Sequence, residues 1–399
     1  MERILYVLHN GTSGGTYLTN YDLMKNLDGV YEIFLLTAQK DSLNLYKYEN
    51  RELSLIKSFI RKPWNIENIH DSWLTYIYFK ILLDYHIDLI HIRHLIYHSF
   101  DLIYVAKKLE IKIILSFHDF YFICPFYVLL NEQMEYCKGI CSKNNMNCYN
   151  PLENEITINS KKFINTWRKN IKEIITYVDY FVTTSFFVKD VFLSIYDNIN
   201  SDNFLIIEHG RDFNNKTSQV EVPSINKAIK IVFPANHINK MKGSELIKKV
   251  KQLDKNNHLE FHFLGNVHEK LENYGITHGV YERDDFCKVI NEIKPSFIGV
   301  FSIWPETFCH TITEAWSCGI PVLGTDIGVV KDRIESNKGG WIIDSHNPQK
   351  IYDKILSITE NKNSYNDVIK NIKKISLKTT KDMACEYQRL YETCLNNNN

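Results

Sequence analysis

Two glutamates with seven residues between them mark the segment of the sequence best suited to chemistry. Glu306 and Glu314 lie in WPETFCHTITEAWSCGIPVLG, and two apolar runs, SFIGVF and IPVLG, predict buried parallel strands on either side. HTITEAWSC predicts a helix between them, which Gly319 ends before Pro321. In an open parallel sheet, ligands bind beyond the carboxyl ends of the strands, where helix N-termini present backbone N–H groups. The segment therefore predicts a diphosphate site.

The two carboxylates favour a ligand that has hydroxyl groups on both sides of the diphosphate. A carboxylate close to phosphates would repel them unless it accepts hydrogen bonds from neutral groups, and it can accept both hydroxyls of a vicinal diol. Sugars and riboses offer such diols. Glu306 and Glu314 together therefore predict a nucleotide-sugar site, whereas each alone is also an ordinary helix-start acid favoured by the helix dipole.

A lysine before another predicted helix adds a positive charge. AIKIVFPANHINKMKGSELIKKV predicts a strand, a polar loop and a helix, with Lys242 and Gly243 at the helix start. Lys242 is expected to contact a diphosphate there. The alternative is a solvated lysine with no ligand.

Two further segments predict functional loops in the first half of the chain. The strand IKIILSF leads into His118 and Asp119, at an edge where chemistry is expected. The alternatives are that His118 caps the strand end and that Asp119 orients His118 or caps a turn. RILYVLHNGTSGGTYLTNYDLMKNL predicts a strand, a glycine loop containing Gly11 and Gly15, and a helix that Thr16 could cap. The loop lacks the full dinucleotide pattern, which argues against NAD.

Length and pattern predict two α/β domains. The 399 residues, 44% of them apolar, suffice for two cores. Strands alternating with helices predict doubly wound parallel sheets, with residues 40–70 irregular. The polar stretch RDFNNKTSQVEVPSINK predicts a linker between the domains.

Charge and hydropathy argue against some classes of partner, although a local basic patch remains open. The 47 basic and 47 acidic residues cancel, which argues against nucleic acid as the main partner. No apolar run approaches the roughly 18 residues of a spanning helix, and ILYVL is too short for a signal sequence, so a cytoplasmic location is expected. SLIKSFIRKPW and the basic helix SKKFINTWRKNIKEIITYV are candidates for peripheral membrane contact, or are simply solvated.

Nine cysteines fall into two groups. Five lie scattered in the second half, where they are expected to behave as small apolar residues in a reducing compartment. The other four lie in one predicted loop, where free thiols are expected and a four-thiolate zinc site is the alternative. These four are Cys124, Cys137, Cys141 and Cys148.

The motif P-E-T-F-x-x-T-x-x-E-A-x-x-x-G-x-P-V resembles the E-x7-E region of retaining GT-B glycosyltransferases of the glycogen-synthase-like family 4. IILSFHDFYFICP is similar to a segment of a bacterial subgroup of that family, whose context suggests polysaccharide or O-antigen assembly. The resemblance implies two Rossmann-like domains facing a central cleft: 1–210, a linker at 211–228, and 229–377, with a last helix at 378–396 that packs back on the first domain.

The resemblance also implies an activity, namely transfer of a sugar from a nucleotide-diphosphate donor to a hydroxyl of a glycan or lipid-linked acceptor, with retention. Neither a metal nor a cofactor is implied, and the sequence has no Asp-x-Asp triplet. Glu306 and His118 would contact the donor sugar, Glu314 the ribose and Lys242 the diphosphate. Asn236 stands where the family usually carries an arginine, and His237 or Lys240 could compensate. The other donor-binding residues implied are Phe308, Cys309, His310, Thr311, Tyr281 and Gly15.

Two other functions remain open on the sequence. A nucleotide-sugar 2-epimerase shares the two-domain fold, but it needs acids and bases around one sugar and no acceptor pocket. A non-catalytic binding subunit is the other alternative, because Asn236 weakens the expected charge around the diphosphate. Fold alone does not separate these three functions.

Overall fold

The structure is a computed structural model that describes residues 1–9, 14–141, 148–151, 161–213, 220–267 and 269–396. Gly11, part of the expected linker (214–219) and the last three residues lie outside the described residues. The chain divides into two compact units. One comprises Met1–Glu132, Cys137–Arg211 and Lys378–Asn399, and the other comprises Gln133–Tyr136 and Asp212–Leu377.

The first unit contains an eight-stranded sheet. Its strands are β1 (Arg3–Leu8), β2 (Glu32–Ala38), β3 (Ser42–Glu49), β4 (Glu52–Ile60), β5 (Leu89–Ile92), β6 (Lys112–Ser116), β7 (Tyr180–Thr183) and β8 (Phe204–Ile206). Its helices include α1 (Gly15–Leu27), α2 (Ser72–Asp84), α3 (Asp101–Lys108), α4 (Lys161–Ile174) and α5 (Phe186–Ile195). The spatial order is β4-β3-β2-β1-β5-β6-β7-β8, and all neighbours from β2 to β8 run parallel. The chain reverses its direction of travel across the sheet between β1 and β5.

The expectation of an irregular segment at 40–70 is wrong for its larger part. β3 and β4 form an antiparallel hairpin at the edge of the sheet, so this sheet is not purely parallel. Asn50 and Arg51 make the turn with positive φ at both positions, the geometry that matches the twist of a tight hairpin. Leu43 and Leu45 alternate inward along β3, whereas most of β4 is exposed. β4 therefore lacks the buried face that would reveal a strand in the sequence.

The second unit contains a six-stranded sheet that is entirely parallel. Its strands are β9 (Ile229–Ile238), β10 (Leu259–Val267), β11 (Ile276–Thr277), β12 (Phe297–Val300), β13 (Val322–Thr325) and β14 (Gly340–Ile343). Its helices are α6 (Ser244–Leu253), α7 (Phe286–Ile293), α8 (His310–Ser317), α9 (Gly328–Asn337), α10 (Pro348–Glu360) and α11 (Lys362–Ile372). The order β11-β10-β9-β12-β13-β14 is that of a Rossmann sheet, with its switch point between β9 and β12.

The last helix, α12 (Thr380–Asn396), belongs to the first unit. Its buried face bonds to side chains of the central strands: the Tyr391 hydroxyl lies 2.6 Å from His91 Nδ1 and 3.1 Å from the Tyr6 hydroxyl. Just beyond β5, Arg93 Nη1 donates to the Tyr387 hydroxyl at 3.0 Å. The helix thus covers part of the first sheet with both apolar and hydrogen-bonded contacts.

No helix in the described ranges is long and apolar enough to cross a membrane.

A disulfide between Cys287 and Cys318 corrects the expectation that all five later cysteines are simple apolar residues. It joins the start of α7 to the end of α8, with the Cα atoms 5.8 Å apart. The two residues are 31 positions apart in the sequence, so only the packing of these helices reveals their proximity.

The four cysteines of the first half are free thiols. Across the described ranges, no group of three or more His, Cys, Asp or Glu side chains could hold a metal ion.

Burial keeps three histidines of the first unit, His9, His91 and His98, in the neutral form. Burial lowers the pKa of His98 to about 3, and His98 Nε2 lies 2.9 Å from the Leu8 carbonyl oxygen. Burial likewise lowers the pKa of His9 to about 3 and that of His91 well below its usual value. The unfolded chain protonates histidine near pH 6.5. The native state is therefore not penalised by these histidines above that pH. As the pH falls below it, the free energy of unfolding decreases, because only the unfolded chain takes up their protons.

We predict that His98→Gln reduces the acid sensitivity of the protein. Between pH 7.5 and 5.5, His98 should cost the native state about 1.4 kcal/mol, because only the unfolded chain takes up its proton. Glutamine can make the same two kinds of hydrogen bond but does not titrate. Urea unfolding at both pH values should show a smaller pH difference for this variant by that amount. The exposed-site control His86→Asn should leave the difference unchanged, and equal differences in both variants would contradict the prediction.

Candidate active site

A lysine–glutamate ion pair lies at the switch point of the second sheet. The loops that follow β9 and β12 carry Lys242 and Glu306, and Lys242 Nζ donates to Glu306 Oε1 at 2.7 Å. Glu306 is only 6% exposed, so its charge requires a partner. Lys242, Glu306 and Thr311 line one cavity together with the ends of the two strands.

Backbone contacts bring the two loops together. The Ile303 N–H donates to the Met241 carbonyl at 2.9 Å, and the Asn239 side chain accepts from the Lys242 N–H at 3.2 Å. Gly243 has φ 79°, and a Cβ atom there would lie 2.0 Å from the Phe301 carbonyl oxygen. Only glycine permits this approach, so Gly243 determines how close Lys242 comes to the loop that follows β12.

Both members of the pair are charged at neutral pH. Burial alone raises the pKa of Glu306, but the charge of Lys242 and hydrogen bonds from Lys242, Ser302 and Cys309 outweigh it, so the pKa lies below its usual value. Burial alone lowers the pKa of Lys242, but Glu306 holds it above its usual value. An ammonium has three donors and a carboxylate about four acceptor sites, so the pair retains capacity for a ligand.

Helix α8 follows this loop as the sequence predicts. It begins at His310 after Cys309, and it ends at Ser317 before Gly319, whose φ of 75° confirms the predicted left-handed stop. Glu306 lies in the loop, and Glu314 is buried in the helix at 7% exposure. Phe308 is buried, with its ring centroid 5.0 Å from that of His310.

The remaining predicted donor-binding residues are more dispersed. Asn236 is exposed near the end of β9, one residue before the exposed His237. The Tyr281 ring lies 5.6 Å from that of Phe286 and is half-buried against the core, which agrees with a packing role. In the first unit, Gly15 begins α1 and Gly14 is its N-cap, so the prediction that Thr16 caps this helix is wrong.

In the first unit, His118 and Asp119 follow β6 at the carboxyl edge of the sheet. The His118 ring stacks on that of His209 with centroids 5.2 Å apart. Burial, with Arg93 and neighbouring histidines as further causes, holds the pKa of His118 well below its usual value. His118 is therefore neutral. It can donate or accept a hydrogen bond, but it offers no charge.

Asp119 interacts with His94. Asp119 Oδ2 lies 2.8 Å from His94 Nε2, and Asp119 Oδ1 accepts from the Tyr121 N–H at 2.9 Å. His94 Nδ1 accepts from the Ile96 N–H, so Nε2 carries the proton that bonds to Asp119. The turn-capping alternative for Asp119 is thus confirmed, and its carboxylate orients His94.

Two residues that the sequence interpretation did not assign also belong to this site. The Ser302 hydroxyl donates to Glu306 Oε1. Lys242 Nζ lies 5.8 Å from the Trp304 ring centroid, in cation–π contact. Both residues lie within four positions of Glu306, which is the one signal that could have indicated them.

Comparisons with known proteins agree with this architecture. Residues 215–375 match the family model of the glycosyl transferases group 1, and no curated protein sequence matches the chain. HepE of Anabaena in complex with UDP has a TM-score of 0.64 at 12% identity, over 98% of this chain and 100% of that one. A HepE complex with UDP-glucose gives 0.64 at 13% identity over the same shares.

Two further solved structures are similar over nearly their whole length. Sucrose-phosphate synthase from Thermosynechococcus elongatus has a TM-score of 0.66 at 12% identity, over 98% of this chain and 99% of that one. A glycosyltransferase from Rickettsia africae has a TM-score of 0.65 at 16% identity, over 99% of each chain. At these identities the likeness establishes the fold. The predicted GT-B class, with two Rossmann-like sheets, is confirmed.

We predict that Gly243→Ala destabilises the second unit. A side chain there meets both left-handed backbone strain, about 1–2 kcal/mol, and a clash with the Phe301 carbonyl that adds about 1–3 kcal/mol. Gly279→Ala is the matched control, because Gly279 has φ 76° and nothing within 4 Å of a Cβ. Urea unfolding should rank Gly243→Ala as the more destabilised variant. Equal losses would show that the close approach is unimportant.

Proposed function

We propose that this protein is a glycosyltransferase that moves a sugar from a nucleoside-diphosphate donor to an acceptor hydroxyl with retention of configuration. The observation that carries this proposal is the Lys242–Glu306 pair. It lies at the switch point of a Rossmann sheet, inside the segment that matches the glycosyl transferases group 1 model. A cation and a hydrogen-bond acceptor meet there, at the place where such sheets bind ligands.

The roles follow from the chemistry of the leaving group. Departure of a nucleoside diphosphate builds negative charge, which Lys242 and the N–H groups of Cys309, His310 and Thr311 would stabilise. The Glu306 carboxylate would accept hydrogen bonds from the donor sugar, held in place by Ser302 and Lys242. Glu314 would bind the ribose. The pair therefore needs both charges, because neutralising either one removes an interaction with the donor.

His118 is proposed to position a sugar hydroxyl as a neutral hydrogen-bonding group. Its low pKa makes it a poor general base. The released phosphate would then accept the proton of the acceptor hydroxyl, as the family resemblance implies for retention. Gly15 and Tyr281 are proposed donor contacts on resemblance alone.

A uridine diphosphate donor is the first candidate, because HepE was crystallised with UDP and with UDP-glucose. Polysaccharide or O-antigen assembly is the proposed context, with a glycan or lipid-linked acceptor. A cytoplasmic location with peripheral membrane contact belongs to the same proposal. Asn236, in place of the usual arginine, is expected to weaken diphosphate binding rather than abolish it.

A thermal-shift and turnover panel tests the proposal. UDP-, GDP-, ADP- and dTDP-sugars are added with and without EDTA, and a donor at 100 times its dissociation constant should add about 2.7 kcal/mol of stability. Lys242→Met should weaken binding of that donor about 10- to 100-fold, since hydrogen bonds to charged groups contribute about 1.5–3 kcal/mol. Lys249→Met, on the exposed face of α6, is the control and should bind as the wild type does.

The outcomes separate the three candidate functions. Release of nucleoside diphosphate that depends on a sugar acceptor supports transfer. Epimerised sugar after incubation with a donor alone would replace the proposal with a 2-epimerase. Donor binding without turnover on any acceptor, and without loss of biological activity in Glu306→Ala, would replace it with a binding subunit.

A further inference from the structure

Arg333 on α9 is bonded to the segment that begins α8. Its Nη1 donates to the Phe308 carbonyl at 2.9 Å and to the Cys309 carbonyl at 3.0 Å, and its Nη2 donates to Thr313 Oγ1 at 2.9 Å. The guanidinium also lies 4.4 Å from the Phe308 ring centroid and 5.3 Å from that of Trp316. One side chain thus fixes two successive peptide groups and the first turns of α8.

These bonds determine where the neighbouring N–H groups point. In a trans peptide the carbonyl and the following N–H point in opposite directions, and the described residues contain no cis peptide bond. Because the carbonyls of Phe308 and Cys309 both face Arg333, the N–H groups of Cys309 and His310 face away from it. Successive N–H groups beside a left-handed residue form a concavity that binds anions.

The backbone conformation of Cys309 would be unfavourable without the hydrogen bonds from Arg333. It has φ 64°, in the left-handed region that a non-glycine residue adopts at a cost of about 1–3 kcal/mol. The three hydrogen bonds from Arg333 offset that cost. Burial raises the pKa of the Cys309 thiol, so the thiol stays protonated and donates to Glu306. The conformation that Arg333 holds therefore also supports the Glu306 carboxylate.

The start of α8 belongs to the proposed donor site. Thr311 lines the same cavity as Lys242 and Glu306. Arg333 also brings a positive charge close to Cys309, where it opposes the rise in the pKa of that thiol. The Arg333 charge and Asn236, which stands where the resembled family usually carries an arginine, lie in the same unit.

We propose that Arg333 is a positioning residue for the donor diphosphate. It acts through the backbone, by holding the N–H groups of Cys309 and His310 toward the phosphates, and not by contacting the phosphates itself. The inference rests on the proposed function, because it assigns Arg333 to that donor site. In the sequence, Arg333 lies within VVKDRIESN, where it resembles any solvated helix residue.

The test measures three ligands by calorimetry on the full chain: UDP, inorganic pyrophosphate and uridine. Arg333→Met keeps much of the apolar contact with the two rings but removes every donor, and it should weaken UDP and pyrophosphate about tenfold, which corresponds to about 1.4 kcal/mol. Its affinity for uridine should not change, because uridine has no phosphate. Arg333→Lys should be intermediate, since one ammonium does not reproduce the planar fork of the guanidinium.

Lys331→Met on the same helix is the matched control, because Lys331 pairs with Glu335 of that helix at 4.0 Å, and it should bind all three ligands as the wild type does. Wild-type affinity for UDP in Arg333→Met would overturn the inference and leave the proposed function standing. Equal losses for UDP and uridine would also overturn it, by showing a general structural role.

If Arg333→Met does not fold, Thr313→Val decides the matter, because it removes one of the three acceptors. That variant should bind UDP about two- to threefold more weakly, and wild-type affinity would overturn the inference. If the wild type binds none of UDP, GDP, ADP, dTDP or pyrophosphate, the proposed function itself fails, which is a result distinct from a loss confined to the Arg333 variants.

Discussion

A buried carboxylate that must remain charged is the constraint on which the second unit depends. Glu306 is shielded from water, and its pKa stays low because Lys242 and two neutral donors compensate for the lost hydration. That compensation requires the two loops to approach within backbone contact, which in turn requires a glycine at 243. Backbone packing therefore determines the geometry of the site, and the Lys242–Glu306 pair forms because the packing brings the two loops together.

Strand order explains why this pair forms where it does. The chain leaves β9 toward one side of the sheet and returns at β12 on the other, so the loops after these strands meet at the switch point, where such sheets bind ligands. The first sheet changes direction in the same way between β1 and β5. Its carboxyl edge, however, carries the neutral histidines His9 and His118. The two units thus offer different chemistry at equivalent positions of similar sheets.

The sequence revealed the parts of the site that local pattern determines. The strands around Glu306, the helix that contains Glu314 and its stop at Gly319 all follow from apolar runs and glycine placement. The β4 strand was missed because its side chains are mostly exposed, and a solvated edge strand has no apolar signal. The Cys287–Cys318 disulfide and the bonds of Arg333 were missed because they join residues distant in the sequence through helix packing. The sequence predicted that Asp119 orients His118 or caps a turn. The turn is confirmed, but the histidine that Asp119 contacts is His94, which is 25 positions away in the sequence.

The central claim is that Lys242 and Glu306 together hold an activated sugar. A crystal structure of the full chain with UDP-glucose tests it most directly. The account predicts that Lys242 Nζ lies within hydrogen-bonding distance of a diphosphate oxygen, while Glu306 accepts a hydrogen bond from a glucose hydroxyl. A diphosphate bound away from the start of α8, with the Lys242–Glu306 pair untouched by the ligand, would contradict it.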